Sequence, residues 1–134
     1  MDKTFEQTIC SRFFNKRCSD RLYYELSSKK RNEFFNKMSH TAERYIGNCI
    51  SGSFHMPPEK EQIIKHMEDD ECYFITKFSE YDGKICNLAD TLSIIWCNGM
   101  PYMIVNKKCD KAYLETEYDF SEHKSLFLAW NMKK

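Results

Sequence analysis

Apolar positions in the N-terminal half of the chain recur every three or four residues, the spacing of one buried helix face. Phe5, Ile9, Cys10, Phe13 and Phe14 predict a first helix over residues 5–15, with Thr4 and Gln7 spaced as a capping box. A short helical stretch over residues 20–25 follows, with Ser19 placed to cap it. A second long helix begins after Ser27 or Ser28: Phe34, Phe35, Met38, Ala42, Tyr45, Ile46 and Cys49 share one face, and the helix frays near Gly47. Ser51-Gly52-Ser53 reads as a loop. Met56-Pro57-Pro58-Glu59 opens a third helix with Ile63, Ile64 and Met67 inward. Proline in a first turn forfeits no hydrogen bond, and Glu59 and Glu61 suit the positive end of the helix dipole.

At Cys72 the period falls to two. Cys72, Phe74, Thr76 and Phe78 alternate with Tyr73, Ile75 and Lys77, as on a strand, and Asp82-Gly83 supplies a turn. Ile85, Leu88, Ala89, Leu92, Ile95 and Trp96 return to helical spacing, ended by Gly99 and Pro101. Strands are expected over residues 102–106, 112–118 and 125–130. The expected fold is α+β: N-terminal helices and one mid-chain helix packed on one face of a small, largely antiparallel sheet of three to four strands. A repeated tetrapeptide, Phe13-Phe14-Asn15-Lys16 and Phe34-Phe35-Asn36-Lys37, falls on core-facing helix positions with unrelated flanks, which indicates packing rather than a duplicated site.

Composition adds bounds. With 134 residues, 42% hydrophobic, and only 4 Gly and 3 Pro, the chain reads as one globular domain over residues 1–134. It has no apolar run long enough to span a membrane and no signal-like N-terminus, so a cytoplasmic location is expected. Seven cysteines, odd in number and without a CxxC pair, read as reduced thiols.

Most specific chemistries lack their residues. The four histidines form no metal-binding pair, and neither Cys49 with His55 nor His66 with Cys72 has zinc-site spacing, so no metal or cofactor is expected. Cys109, between Lys108 and Asp110, is the best candidate for an exposed thiol. Glu115 and Glu117 pair on one strand face, but Glu115-Thr116-Glu117 lacks the lysine a PD-(D/E)xK nuclease requires. Glu68-Asp69-Asp70-Glu71 lacks the glycine and alternation of a calcium loop. Phosphate-binding glycine loops and nucleophile elbows are absent.

Charge remains informative. The net charge is zero, yet residues 1–50 carry ten Lys/Arg against six Asp/Glu and the remainder ten against fourteen. Acidic groups interleaved with tyrosine in the second segment suit a basic protein partner. The leading expectation is a non-enzymatic protein-binding domain, such as an inhibitor or immunity protein that neutralises a basic toxin. Its candidate contact residues are Asp69, Asp70, Glu71, Tyr73, Tyr113, Glu115, Glu117, Tyr118 and Asp119. The alternative is a nucleic-acid-binding or regulatory protein that uses a basic N-terminal face of Arg12, Lys16, Arg17, Arg21, Lys30 and Arg31.

Overall fold

Alternating side chains, kept in register from strand to strand, organise the molecule. The computed structural model describes residues 1–117 and 123–131. It contains one six-stranded sheet: β1 (Ile50–Phe54), β2 (Glu71–Thr76), β3 (Lys84–Asn87), β4 (Tyr102–Asn106), β5 (Lys111–Glu115) and β6 (Ser125–Ala129). The spatial order is β1-β6-β5-β4-β2-β3, and every neighbouring pair is antiparallel.

Register fixes which residues share a face. Tyr73, Val105, Ala112 and Leu128 align across β2, β4, β5 and β6, and Phe74, Ile104, Tyr113 and Phe127 align on the opposite side. Both faces are therefore apolar and both need cover. Helices α1 (Lys3–Phe13), α2 (Lys16–Ser27) and α3 (Arg31–His40) cover the first. Helices α4 (Lys60–Met67) and α5 (Leu88–Ile95) cover the second through Ile63, Met67, Leu88, Leu92 and Ile95.

The α+β class is as the pattern implies, but the sheet has six strands instead of three or four and helices on both faces. The two strands absent from the sequence reading are the two edges. β1 is mostly solvent-exposed and contains Ser51-Gly52-Ser53, so it carries no apolar alternation; pairing with β6 makes it a strand. Ile85 belongs to β3, where it opposes Tyr73 with 53% of its surface exposed. The helical run begins only at Leu88, where Asn87 Oδ1 accepts the Asp90 N–H at 2.9 Å. Gly83 makes the β2–β3 turn with a φ of 73°, and a side chain there would collide with Met1.

Helix boundaries shift for similar reasons. Asp2, not Thr4, caps α1 by accepting the Phe5 N–H at 3.0 Å. The short stretch near Asp20 is a full helix, α2, capped by Asn15. α3 ends at His40, after which a 3-10 turn (Ala42–Arg44) and a loop carry Ala42, Ile46 and Cys49 into the same core. Their apolar spacing thus outlasts the helix. The tetrapeptide copies also diverge: Phe14 and Asn15 lie at the α1–α2 junction, whereas Phe34 and Phe35 lie inside α3.

Phe34 packs edge-on against both Phe14 and Phe35, with ring centroids 5.8 Å apart in each pair. Both Phe34 and Phe35 are buried. Truncating either to alanine is expected to cost about 3–5 kcal/mol in denaturant unfolding; a loss below about 1 kcal/mol at both would contradict this packing.

Candidate functional site

The basic residues of the N-terminal helices are largely engaged within the fold. Arg31 is the clearest case. Its guanidinium lies among α1, α2, α3 and the β2–β3 turn, donating to Glu6 at 3.0 and 3.1 Å, to Asp82 at 2.8 Å through two nitrogens, and to the Leu26 carbonyl at 2.8 Å. Tyr73 donates its hydroxyl to the same Glu6 at 2.6 Å. Burial opposes the charge, but the Asp82 and Glu6 hydrogen bonds prevail and raise the Arg31 pKa further. Arg31 is therefore an interior cation and no part of a nucleic-acid face.

Arg12 lies over the Trp130 ring at 4.0 Å and donates to the carbonyls of Lys108 and Cys109. Arg21 pairs with Glu25 at 3.0 Å and Glu33 at 3.5 Å, and Lys30 with Glu33 at 3.4 Å. Lys16 and Arg17 are exposed. Arg17 and Arg44 border a groove of about 410 Å³ together with Asn15, Cys18 and Tyr45.

The acidic candidates separate into surface and interior. Asp70 and Glu71 are exposed, and Asp69 is partly covered. Burial works against the Asp69 charge, but N–H groups of Lys107 and Glu71 and the Lys107 ammonium hold its carboxylate below the usual range. Glu117 lies beyond the end of β5, half-buried, with His40 Nε2 at 3.9 Å. Tyr118 and Asp119 lie outside the described residues. Tyr73, Tyr113 and Glu115 are buried and form no part of the outer surface. The reason is the two-faced sheet: covering both sides leaves neither face of the central strands to solvent.

Burial also corrects the thiol expectation. Cys109 is interior, and desolvation pushes its pKa up to about 11.

On the α4–α5 side, the register puts Thr76, Tyr102, Glu115 and Ser125 in one row across the sheet. Glu115 Oε1 accepts hydroxyl hydrogen bonds from Tyr113 at 2.6 Å and Tyr102 at 3.0 Å. Tyr113 also contacts Ser125 Oγ at 3.2 Å, and His123 Nε2 lies 2.8 Å from that oxygen. The second carboxyl oxygen, Oε2, makes no hydrogen bond among the described residues, and Glu115 lines a cavity of about 160 Å³ with Met56, Pro57 and Cys97. Desolvation raises the Glu115 pKa to about 7 against the pull of the two tyrosine hydrogen bonds. The residue therefore changes charge near neutrality. Tyr102, His123 and Ser125 escape sequence reading because Tyr102 looks like a core aromatic and the others follow a polar turn. The available signal was period two in β5, which sets Tyr113 and Glu115 on one face.

No group of three or more His, Cys, Asp or Glu among the described residues is placed to hold a metal ion. Nor does any described helix have the length and apolarity to cross a membrane. No protein-family model matches the chain, and comparison with curated proteins and with solved structures likewise finds no significant match. The class defined by the fold is an α+β protein whose antiparallel sheet lies between two helical layers.

The two buried polar centres have opposite consequences. Arg31→Met leaves Glu6 and Asp82 without their cation and should lower unfolding free energy by about 3–5 kcal/mol in denaturant titration. Glu115 binds its proton more tightly folded than unfolded, since its pKa rises from 4.5 to about 7. That contribution is complete below about pH 4.5 and is lost as pH rises through about 7, an effect of about 3 kcal/mol. Glu115→Gln should therefore raise the melting temperature at pH 8 and leave it nearly unchanged at pH 4.5.

Proposed function

We propose that this chain is a non-enzymatic protein-binding domain that captures a basic partner, as a stoichiometric inhibitor or an immunity protein does with a toxin. The supporting observation is an acidic corner where the α4–β2 turn meets the start of α5. The Asp70 carbonyl accepts the Leu88 N–H at 2.8 Å, and Glu71 opposes Asn87. This brings Asp70 and Glu71 toward Asp90; all three are exposed, as is Glu68. Lys107 reaches Asp69 and Glu71 at 3.6 Å but forms no ion pair with Asp70 or Asp90.

Apolar contact is available beside the charge. Ile94, one helical turn beyond Asp90, is 56% exposed; Ile85 of edge strand β3 is exposed too, but on the other side of the sheet, in the row of Tyr73. An edge strand also offers unpaired backbone groups to an incoming chain. Acidic residues would steer a basic protein into place, and Ile94 would slow its release.

A second reading has its own support. Arg17 and Arg44 line their groove with no acidic partner among the described residues, beside Tyr45, an arrangement suited to phosphate and an unpaired base.

Capture from the source cell, with and without nuclease, followed by kinetics on the recovered species, distinguishes the two. The protein-binding reading expects one basic protein at equal stoichiometry, unaffected by nuclease. Neutralising Asp70, Glu71 and Asp90 together should slow its association about tenfold at low salt, with folding retained. Recovery of nucleic acid alone, with a salt dependence that weakens when Arg17 and Arg44 are neutralised, would replace this reading with the second.

A further inference from the structure

Among the described residues, three carboxyl side chains are almost wholly buried: Glu6, Glu25 and Glu115. Two have cations in contact. Glu6 pairs with Arg31, and Glu25 with Arg21 and Lys37. Glu115, 1% exposed, has only hydroxyl partners, and both donate to the same oxygen. Among the described residues its Oε2 is left without a hydrogen bond, and Glu115 lines a cavity with Met56, Pro57 and Cys97. Buried carboxylates are normally matched by a cation, and here the described residues supply none.

We propose that this cavity binds a small primary amine, with its ammonium group on Glu115 Oε2 and its alkyl body against Met56 and Pro57. The volume, about 160 Å³, is close to that of a cavity known to hold a benzene-sized group, so the body has roughly four to six carbons. Of the lining residues, Met56 and Cys97 are exposed. The local charge also favours a cation: Glu59, ahead of α4, and Glu115 both act on Cys97, whose pKa burial and these carboxylates raise.

The ammonium recognises the ionised carboxyl, so affinity should follow Glu115 ionisation. The groups facing this carboxyl are the hydroxyls of Tyr102 on β4 and Tyr113 on β5, and the Cys97 thiol beyond α5. Ser125 and His123 at β6 complete the set. An alkylammonium stays charged across the relevant range, as lysine does. In the free protein Glu115 is mainly protonated at pH 5 and mainly ionised at pH 8.

The test is calorimetric titration with n-butylammonium and cyclohexylammonium, using n-butanol and butyrate as controls. Affinity for the amines should rise roughly a hundredfold from pH 5 to pH 8, in proportion to the ionised fraction. Glu115→Gln should weaken it about tenfold or more and abolish the pH dependence, which separates the effect from any titration of His123. In the wild-type chain, saturating amine should also lower the midpoint of the Glu115 carboxyl carbon resonance, a readout that does not require the variant to fold. Absence of amine binding, equal binding of butanol, stronger binding at pH 5 or an unmoved Glu115 midpoint would each overturn the proposal. The cavity lies beyond the C-terminal end of α5 and the acidic corner at its N-terminal end, so either assignment can fail alone.

Discussion

The Arg31 guanidinium is the constraint on which the helical layer depends. Five donors in a planar fork can meet two carboxylates and a carbonyl at once, and here they tie α1, the end of α2, the start of α3 and the β2–β3 turn to one point. Burial makes each of these groups costly alone and compatible only together. Tyr73 extends the cluster into the sheet through Glu6 and receives the Asp2 N–H at 3.1 Å. The ion pair thus fixes where three helices sit on one sheet face. Apolar packing, which is indifferent to small shifts along a helix, would specify that placement less sharply.

Covering the sheet on both sides has a chemical consequence. Polar side chains on central strands must find partners inside the protein, because neither face reaches water. On the α1–α3 side this demand is met by salt bridges. On the α4–α5 side it is met by the Tyr102–Glu115–Tyr113–Ser125 row, where hydroxyls replace cations. Hydroxyls stabilise a carboxylate less than a cation does, which leaves the Glu115 charge finely balanced. His66 shows the same pressure nearby: it stacks on Phe127 at 4.3 Å, and burial lowers its pKa despite its contacts with the Ala112 and Leu128 carbonyls.

The surface is what remains after these interior demands are met. Half of the ten cations in residues 1–50 pair with Glu6, Glu25 or Glu33 or lie over Trp130, which offsets part of that segment's formal excess of positive charge. The acidic corner persists because the α4–β2 turn must pass over the end of the sheet, where side chains project into solvent.

Sequence by itself determined the α+β class, the central strands and the helical stripes, because those elements bury one or both faces and must carry apolar residues at the matching period. The edges β1 and β3 were not legible: their side chains face solvent, and their strand character comes from a neighbour's backbone. Candidate residues behaved likewise. Asp70 and Glu71 stand exposed, as a polar turn implies, since no partner is needed to keep a turn in water. Arg31, Tyr73, Tyr113 and Glu115 took interior roles that only tertiary structure decided. A charged or phenolic side chain can be buried when specific partners converge on it: Glu6 and Asp82 meet Arg31 from distant points in the chain, and Tyr102 reaches Glu115 from the neighbouring strand. Convergence of that kind leaves no local period to read.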